Sequence, residues 1–571
     1  MTALLTDNLP LLAGAPNGIK KLRELILELA VRGKLVSQDP NDEPASELLK
    51  RIADEKARLV AEGKIKKQKP LPEVDEEALP FELPAGWKWS SLAQVAFVNP
   101  RNAAADSLEV SFVPMTFIGT GFDAQHEQEP RLWGEVKQGF THFAEGDIGV
   151  AKITPCFENS KACVFSNLLN GLGAGTTELH IVRPVSGTLD PRYVLAYLKS
   201  PQFLLVGETK MTGTAGQKRL PKDFVEANPF PLPPLAEQHR IVAKVDELMA
   251  LCDRLEARQA DAESAHAQLV QALLGSLTQA RDAGDFAQSW QRLAEHFHTL
   301  FTTESSIDAL KQALLQLAVM GKLVPQDPSD EPASELLERM SVGKAELIRA
   351  GMLKAPKSLP NIRPEETPYE LPQTWAWVRL GEVSEFINGD RGKNYPNRSE
   401  YVSEGIPWIN TGHIEPDGTL SQSDMHFITR ERFETLNSGK IRSGDLVYCL
   451  RGATFGKTAI VDPLREGAIA SSLMIIRPFE PCLNRYMYRY LTSQIGRNQI
   501  FRFDNGSAQP NLSANNVRLY VYPLPPLAEQ HRIVAKVDQL MALCDQLKAR
   551  LNQARQVHEQ LACALVEQTV A

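Results

Sequence analysis

From Pro234 onward, apolar residues return at alternating intervals of four and three. Ile241, Val245, Leu248, Cys252, Leu255, Ala262, Leu269 and Leu273 hold that spacing, and Ile533, Val537, Leu540, Cys544, Leu547, Leu551, Ala554, Leu561 and Leu565 repeat it. A period near 3.5 marks a helix with a narrow apolar seam. Each stretch therefore predicts a rod of some 40 residues, about 60 Å long at ~1.5 Å rise per residue. Pro233 and Pro234 lack N–H donors and suit a first helical turn, so they end the preceding strand and start the rod. An exposed seam needs a partner, and the simplest partner is its own copy. Ile241, Val245, Leu248, Cys252 and Leu255 are thus expected to face Ile533, Val537, Leu540, Cys544 and Leu547 in a pair of antiparallel helices. His266 and His558 fall on the same seam and read as buried or rim residues, since no second ligand stands at helical spacing.

Elsewhere the pattern changes. Ile19 to Leu35 is a short amphipathic helix, followed by the polar turn "SQDPNDEPAS" and a second helix from Ala45 to about Glu62. "GKIKKQKPLPEVDEEALP" is polar and aperiodic, a linker. Residues 81–232 and 369–524 carry short apolar strand runs and Asp- or Asn-capped helices, which predicts mixed α/β domains.

The text is written twice. "PLPPLAEQHRIVAKVD" begins at Pro231 and again at Pro523, 292 residues later, and residues 231–258 and 523–550 agree at 25 of 28 positions. Residues 27–52 recur at 315–340 with 20 of 26 identical, and "FELPAGWKW" at Phe81 is echoed by "YELPQTWAW" at Tyr369. A repeat of this length holds whole domains, unlike a solenoid unit. The two variable regions keep their landmarks in order: "GDIGVAKI" at Gly146 against "GDLVYCLRG" at Gly444, "TELHIVRP" against "SSLMIIRP", "PRYVLAYL" against "NRYMYRYL". Loop insertions within one shared topology produce such a wandering offset. The expectation is an α+β chain: two mixed α/β domains separated by long paired antiparallel helices, a tandem duplication with a pseudo-twofold arrangement. Its segments are 1–80 (helical region and linker), 81–232 (first domain), 233–368 (central helices and linker), 369–524 (second domain) and 525–571 (last helix).

Charge refines this picture only locally. The chain carries a net charge of -8, yet residues 88–232 hold 13 Lys+Arg against 14 Asp+Glu and residues 376–524 hold 17 against 15, so the helical parts carry the acidity. Basic clusters lie in loops: "GQKRLPK" from Gly216, "RGKNYPNR" from Arg391, "TRERF" from Thr429 and "YRYLTSQIGRNQIFRF" from Tyr488. Such loops suit phosphates and base edges. The seven cysteines form no C-x-x-C pair, which excludes zinc ribbons and redox motifs and leaves them as apolar fillers. No run of about 18 apolar residues and no basic leader appears, so a cytoplasmic protein is expected.

No motif commits the chain to catalysis. "GATFGKT" at Gly452 has three residues between its glycines where a phosphate loop has four. "FIGTGF" at Phe117 imitates a methyltransferase glycine turn, but its twin reads "WINTGH" and no Asn-Pro-Pro-Tyr-like tetrapeptide follows. "GEVKQ" at Gly134 has the Glu-x-Lys of a metal nuclease without a preceding Pro-Asp, and no G-x-S-x-G occurs.

Two variable domains, each closed by "PLPPLAEQHRIVAKVD" and a long helix, with "GDLVYCLRGATFGKTAI" and "GSAQPNLSANNV" in the second, resemble the specificity subunit of type I restriction-modification systems over nearly the whole chain. The resemblance implies that residues 81–232 and 369–524 are target recognition domains, each reading half of a bipartite site in double-stranded DNA, with the helices setting the spacer. It implies no cofactor on this chain. S-adenosylmethionine, ATP and Mg would act on the partners: two modification subunits that methylate adenine, and restriction subunits. Half-sites on one face of B-DNA recur about every 34 Å, a distance such rods can span. The polar loop "TGTAGQKRLPKDF" departs from its twin "NGSAQPNLSANNV". Candidate DNA-contacting residues are Lys152, Lys161, Gln217 and Lys218 in the first domain, and Arg391, Lys393, Tyr395, Arg451, Lys457 and Gln509 in the second. Two other classes remain open: a coiled-coil scaffold whose variable domains bind proteins, and a self-contained methyltransferase or nuclease.

Overall fold

A computed structural model describes residues 11–62, 79–122, 125–214, 216–353, 355, 358–451, 454–503 and 512–570. Most of the linker after residue 62, and Gln509, lie outside them. The chain divides into two units, Met1–Ala262 with Ala554–Ala571, and Glu263–Gln553.

In the first unit the leading helix Gly18–Val31 ends at Gly33 (φ 67°), whose Cβ position is filled by Pro84 and Trp87 of the "ELPAGW" stretch. Only glycine fits there, and Gly321 (φ 72°) meets Pro372 and Trp375 likewise in the second unit. A second helix, Ala45–Ala61, follows. The variable region opens and closes on a two-stranded antiparallel neck, β1 (Lys88–Ser91) against the last strand, β10 (Pro229–Leu232). Between them run β2 (Ala96–Val98), β3 (Glu109–Val113), β4 (Glu129–Leu132), β5 (Thr141–Ala144), β6 (Ile148–Ala151), β7 (Ala162–Val164), β8 (Leu172–Gly175) and β9 (Leu179–Pro184). They form two four-stranded sheets, β2-β9-β6-β7 and β4-β3-β8-β5, the second mixed because β3 and β8 are parallel. Val113, Phe143, Cys163, Phe165 and Ile181 form one buried core that joins the sheets. Phe143 and Phe165 stack at 3.6 Å, and a Cβ on Gly173 or Gly149 would strike those rings. Helices Pro191–Leu198, Pro201–Lys210 and Lys222–Ala227 complete the domain.

The second unit repeats this plan strand for strand. Its strands are β11 (Ala376–Arg379), β12 (Ser384–Asn388), β13 (Ile406–Ile409), β14 (His426–Ile428), β15 (Lys440–Arg442), β16 (Leu446–Cys449), β17 (Thr458–Ile460), β18 (Glu466–Ile469), β19 (Leu473–Pro478) and β20 (Val521–Leu524). The neck is β11-β20, and the sheets are β12-β19-β16-β17 and β14-β13-β18-β15, with β13 and β18 parallel.

The copied text is the text that touches itself. Glu237, inside "PLAEQHR", accepts from Trp87 Nε1 at 2.9 Å and from Gln38 Nε2 at 3.2 Å, and Arg240 pairs with Asp42 at 2.6 Å. Glu529 accepts from Trp375 Nε1 at 2.9 Å and Gln326 Nε2 at 2.6 Å, and Arg532 pairs with Asp330 at 2.6 Å. Burial pushes both glutamates above the ordinary carboxylate range, against the pull of their donors. The variable domain is tied to the neck and to the same helix: Tyr193 donates to Pro231 O of β10 and Arg192 to Asp246 of the helix, and in the second unit Tyr486 donates to Pro523 O and Arg489 to Asp538.

The two long helices are Leu235–Thr278 and Leu527–Val570, 44 residues each. Ile241, Val245 and Cys252 are buried, with Leu248 and Leu255 partly so, in the core of the first unit. That core holds Ile19, Leu22 and Ile26 of the leading helix and Ala562 of the last one. Ile533, Val537, Leu540 and Cys544, with Leu547 partly buried, lie in the second unit's core beside Val270, Leu274 and Leu277. The seam therefore departs from the heptad reading in its later part: Leu269 (51 % exposed), Leu273 (36 %) and Leu561 (53 %) point outward, while Val270, Leu274, Leu277 and Ala562 are buried. A helix at 3.6 residues per turn drifts about 20° per heptad, so four heptads shift the buried stripe by nearly one residue. Val270 follows Ile241 by 29 positions, as Leu274 follows Val245, Leu277 follows Leu248 and Ala562 follows Ile533. His266 is half-buried, its Nε2 3.1 Å from Thr299 O.

Val270→Glu is accordingly expected to cost about 2 kcal/mol by placing a charge in that core, and Leu269→Glu under ~0.5 kcal/mol. Chemical denaturation of the two variants decides between the stripes; equal losses would restore the heptad phase.

Candidate functional site

At one end of the first domain's β2-β9-β6-β7 sheet, three loops are laced together by backbone hydrogen bonds. Lys152 follows β6; its N–H donates to Glu178 O (2.9 Å) and its carbonyl accepts from Leu220 N (2.7 Å). Thr154 N donates to Lys218 O, and Lys218 N to Thr154 Oγ1. Ala151 N donates to Lys161 O, which closes the loop 151–161. Lys152, Lys161, Gln217 and Lys218 are thereby brought to one end of one sheet. Gln217 and Lys218 are exposed, whereas Lys161 Nζ is engaged at 3.0 Å with Met115 O.

The second domain uses the same lacing. Leu450 N donates to Ser472 O, Leu512 N to Leu450 O, and Cys449 N to Lys457 O. Arg451 and Lys457 are exposed on this loop, and Arg391 Nη2 lies 3.5 Å from Ser471 O, so Arg391 and Arg451 flank one turn. Lys393 is exposed nearby in the segment after β12. Tyr395 stands apart: its ring meets Trp408 of β13 edge-on at 5.3 Å and packs on the other sheet.

The equivalence of the loops shows which side chains vary. Buried Leu450 occupies the backbone position of Lys152, while Lys457 occupies that of Lys161. Sequence reading missed two participants in the first domain. Arg219, bridged to both Ile153 and Thr212, holds Glu178 through Nε and Nη2 at about the same end of the sheet, with a closest contact of 2.9 Å. The pair is mutual: Arg219 draws the Glu178 carboxyl below its ordinary range, and Glu178 raises Arg219. The "GQKRLPK" cluster signalled a charge there but not which residue would be neutralised.

A chain built twice on this plan, with unlike side chains on identically laced loops, can be compared with known proteins. The model of the type I restriction modification DNA specificity domain matches residues 372–555. The Escherichia coli type I restriction enzyme EcoAI specificity subunit is 48 % identical over 567 residues, 97 % of this chain and 94 % of that protein. The chain belongs to the specificity subunits of type I restriction enzymes. The EcoEI specificity subunit, also from Escherichia coli, is 47 % identical over 96 % of this chain and 93 % of its own. A chain in the solved structure "Structural basis underlying complex assembly and conformational transition of the type I R-M system" matches with a TM-score of 0.51 at 20 % identity, covering 86 % of this chain and 99 % of that one, which shows the fold. As a member of this family the subunit recognises DNA sequence, and it is the specificity component rather than a catalytic one. Among the described residues no cluster of three or more His, Cys, Asp or Glu could hold a metal, and no helix is long and apolar enough to cross a membrane.

Proposed function

We propose that each variable domain of this specificity subunit, 81–232 and 369–524, reads one half of a bipartite DNA site, through the loops around Lys152, Lys161, Gln217 and Lys218 and around Arg391, Lys393, Arg451, Lys457 and Gln509. The observation that carries this reading is the strand-for-strand repetition of one topology with different side chains on equivalent loops. Tyr395 then supports its loop from behind, through Trp408. The remaining segments, 1–80, 233–368 and 525–571, form the helical frame that sets the spacer between half-sites. This frame receives two modification subunits, and restriction subunits join through it. Those partners use S-adenosylmethionine, ATP and Mg in the cytoplasm, and this chain itself contributes binding alone.

Loop side chains that bond base edges are worth ~1–3 kcal/mol per good contact, and phosphate contacts supply affinity without sequence. Arg451→Ala is therefore expected to relax or weaken one half-site about tenfold or more and leave the other intact. Sequencing of methylated adenines in cells carrying the system reads this directly. Equal loss at both halves would assign Arg451 to phosphate or to folding.

A further inference from the structure

The stretch "YRYLTSQIGRNQIFRF" is rich in aromatic and cationic residues, and the structure engages most of them elsewhere. Tyr490 is buried, Tyr488 donates to Asp417 O, and Arg489 pairs with Asp538 at 2.5 Å. Arg502 bonds Gln499 and Glu366, and Phe503 stacks on Tyr520. Two side chains are left outward on helix Gln494–Phe501: Arg497, exposed and without an ion pair among the described residues, and Phe501, 61 % exposed. They stand one helical turn apart on one face, which also carries Gln494 and Asn498.

A single exposed phenylalanine means little, but this one has a setting. Its helix lies directly behind the loop that bears Arg451 and Lys457: Ile500 closes on Gly456, and Phe455 packs into the same core as Ile495 and Ile500. Burial raises the phenol of Tyr448, on the strand that feeds this loop, and the hydrogen bond with Tyr520 and the charge of Arg497 work against that rise. Residues 450–457 and 494–503 contain two lysines or arginines each and no carboxylate. The corresponding helix of the first unit, Pro201–Lys210, presents Leu205 (65 % exposed) and Glu208 instead.

We propose that Arg497 and Phe501 form an additional contact of the second domain with double-stranded DNA: the guanidinium on a backbone phosphate, and the ring against deoxyribose and a thymine methyl at the groove wall. This rests on the reading of 369–524 as a DNA-reading domain and extends it from the loops to a helix face. An apolar ring beside a cation with no ion pair among the described residues, continuous with a basic loop, matches a groove wall in which phosphate and apolar sugar alternate. Among the described residues the corresponding helix of the first unit, Pro201–Lys210, carries no arginine and no exposed aromatic ring, so the contact belongs to one half-site only.

The test uses the full chain assembled with its modification subunits and a labelled duplex spanning the site mapped by adenine methylation. Arg497→Ala is expected to weaken binding about tenfold and to lower the salt slope by about one. Phe501→Ala is expected to weaken it about tenfold with the salt slope unchanged, and Phe501→Tyr to restore it. Both alanine variants should melt like the parent, because neither side chain is in the core, and hydroxyl-radical protection should fade over one half-site only. Parental affinity in both alanine variants, failure of Phe501→Tyr to restore binding, or release of a modification subunit with duplex contact unchanged would each overturn the proposal. Arg451→Ala is the reference. If it alters one half-site while these variants do not, the helix contact alone is wrong; if none of the three acts on one half-site, the reading of the domain fails with it.

Discussion

Replacing Glu366 by alanine is expected to destabilise the second unit by about 3 kcal/mol, because it takes the paired carboxylate from a buried guanidinium and leaves it the carbonyls of Pro360, Asn361 and Leu519 as acceptors. Arg379 ends the neck strand β11 with 4 % of its side chain exposed, and its Nη2 donates to Glu366 at 2.7 Å while Nη1 reaches the other carboxylate oxygen at 3.0 Å. Arg502 completes the cluster from the second variable domain. The hydrogen bonds from Arg379, aided by Arg363 N–H and Arg502, outweigh burial and hold the Glu366 carboxyl at about 2, below its usual 4.5. A carboxyl depressed in the folded state contributes stability that is present above the unfolded value and lost as pH falls through the folded one. The parent should therefore lose this contribution between about pH 4.5 and 2, and Glu366→Ala should lack that part of the acid dependence. The first unit has Ser91 at the matching neck position, so the double variant Glu366→Ala with Arg379→Ser should recover most of the loss. Urea unfolding across pH measures all three; a single variant within ~0.5 kcal/mol of the parent would show the cluster to be solvated.

Much of this architecture was legible in the amino-acid sequence, and the physical reasons for the exceptions differ. The duplication and the matched landmarks around Gly146 and Gly444 are covalent facts, and they foretold the shared topology of the two domains. The heptad count found both long helices but mis-phased their tails, because a strict 3.5 period was imposed on helices whose buried face returns after 29 residues. The contact of Glu237 with Trp87 spans 150 positions, and no local pattern announces it. Its only signal was that both partners sit in copied text. At the candidate loops, sequence located the basic clusters but could not separate engaged charges such as Lys161 and Arg489 from exposed ones such as Arg451 and Arg497, which have no ion pair among the described residues. That distinction depends on which carbonyl or carboxylate the fold brings within 3 Å.

The largest functional effect should come from exchanging one reading domain whole. The neck ladders make this feasible: Lys88 pairs with Leu232 and Ser91 with Pro229, so everything between β1 and β10 enters and leaves through four residue pairs, as it does between β11 and β20. The lock of Glu529, Trp375 and Arg532 lies outside the exchanged stretch, so a graft of residues 380–520 from another member of the family leaves that lock intact, provided Tyr486, Arg489 and Arg502, which tie the stretch to Pro523, Asp538 and Glu366, are kept. Each mismatched base pair typically costs ~1–3 kcal/mol, so three changed positions separate the old and new sites by roughly 3–9 kcal/mol. The account then stands or falls on the methylated adenines in cells that carry the grafted chain with its modification subunits. It predicts a site whose first half and spacer are unchanged and whose other half is the donor's; a site altered in both halves, or in its spacer alone, would contradict it.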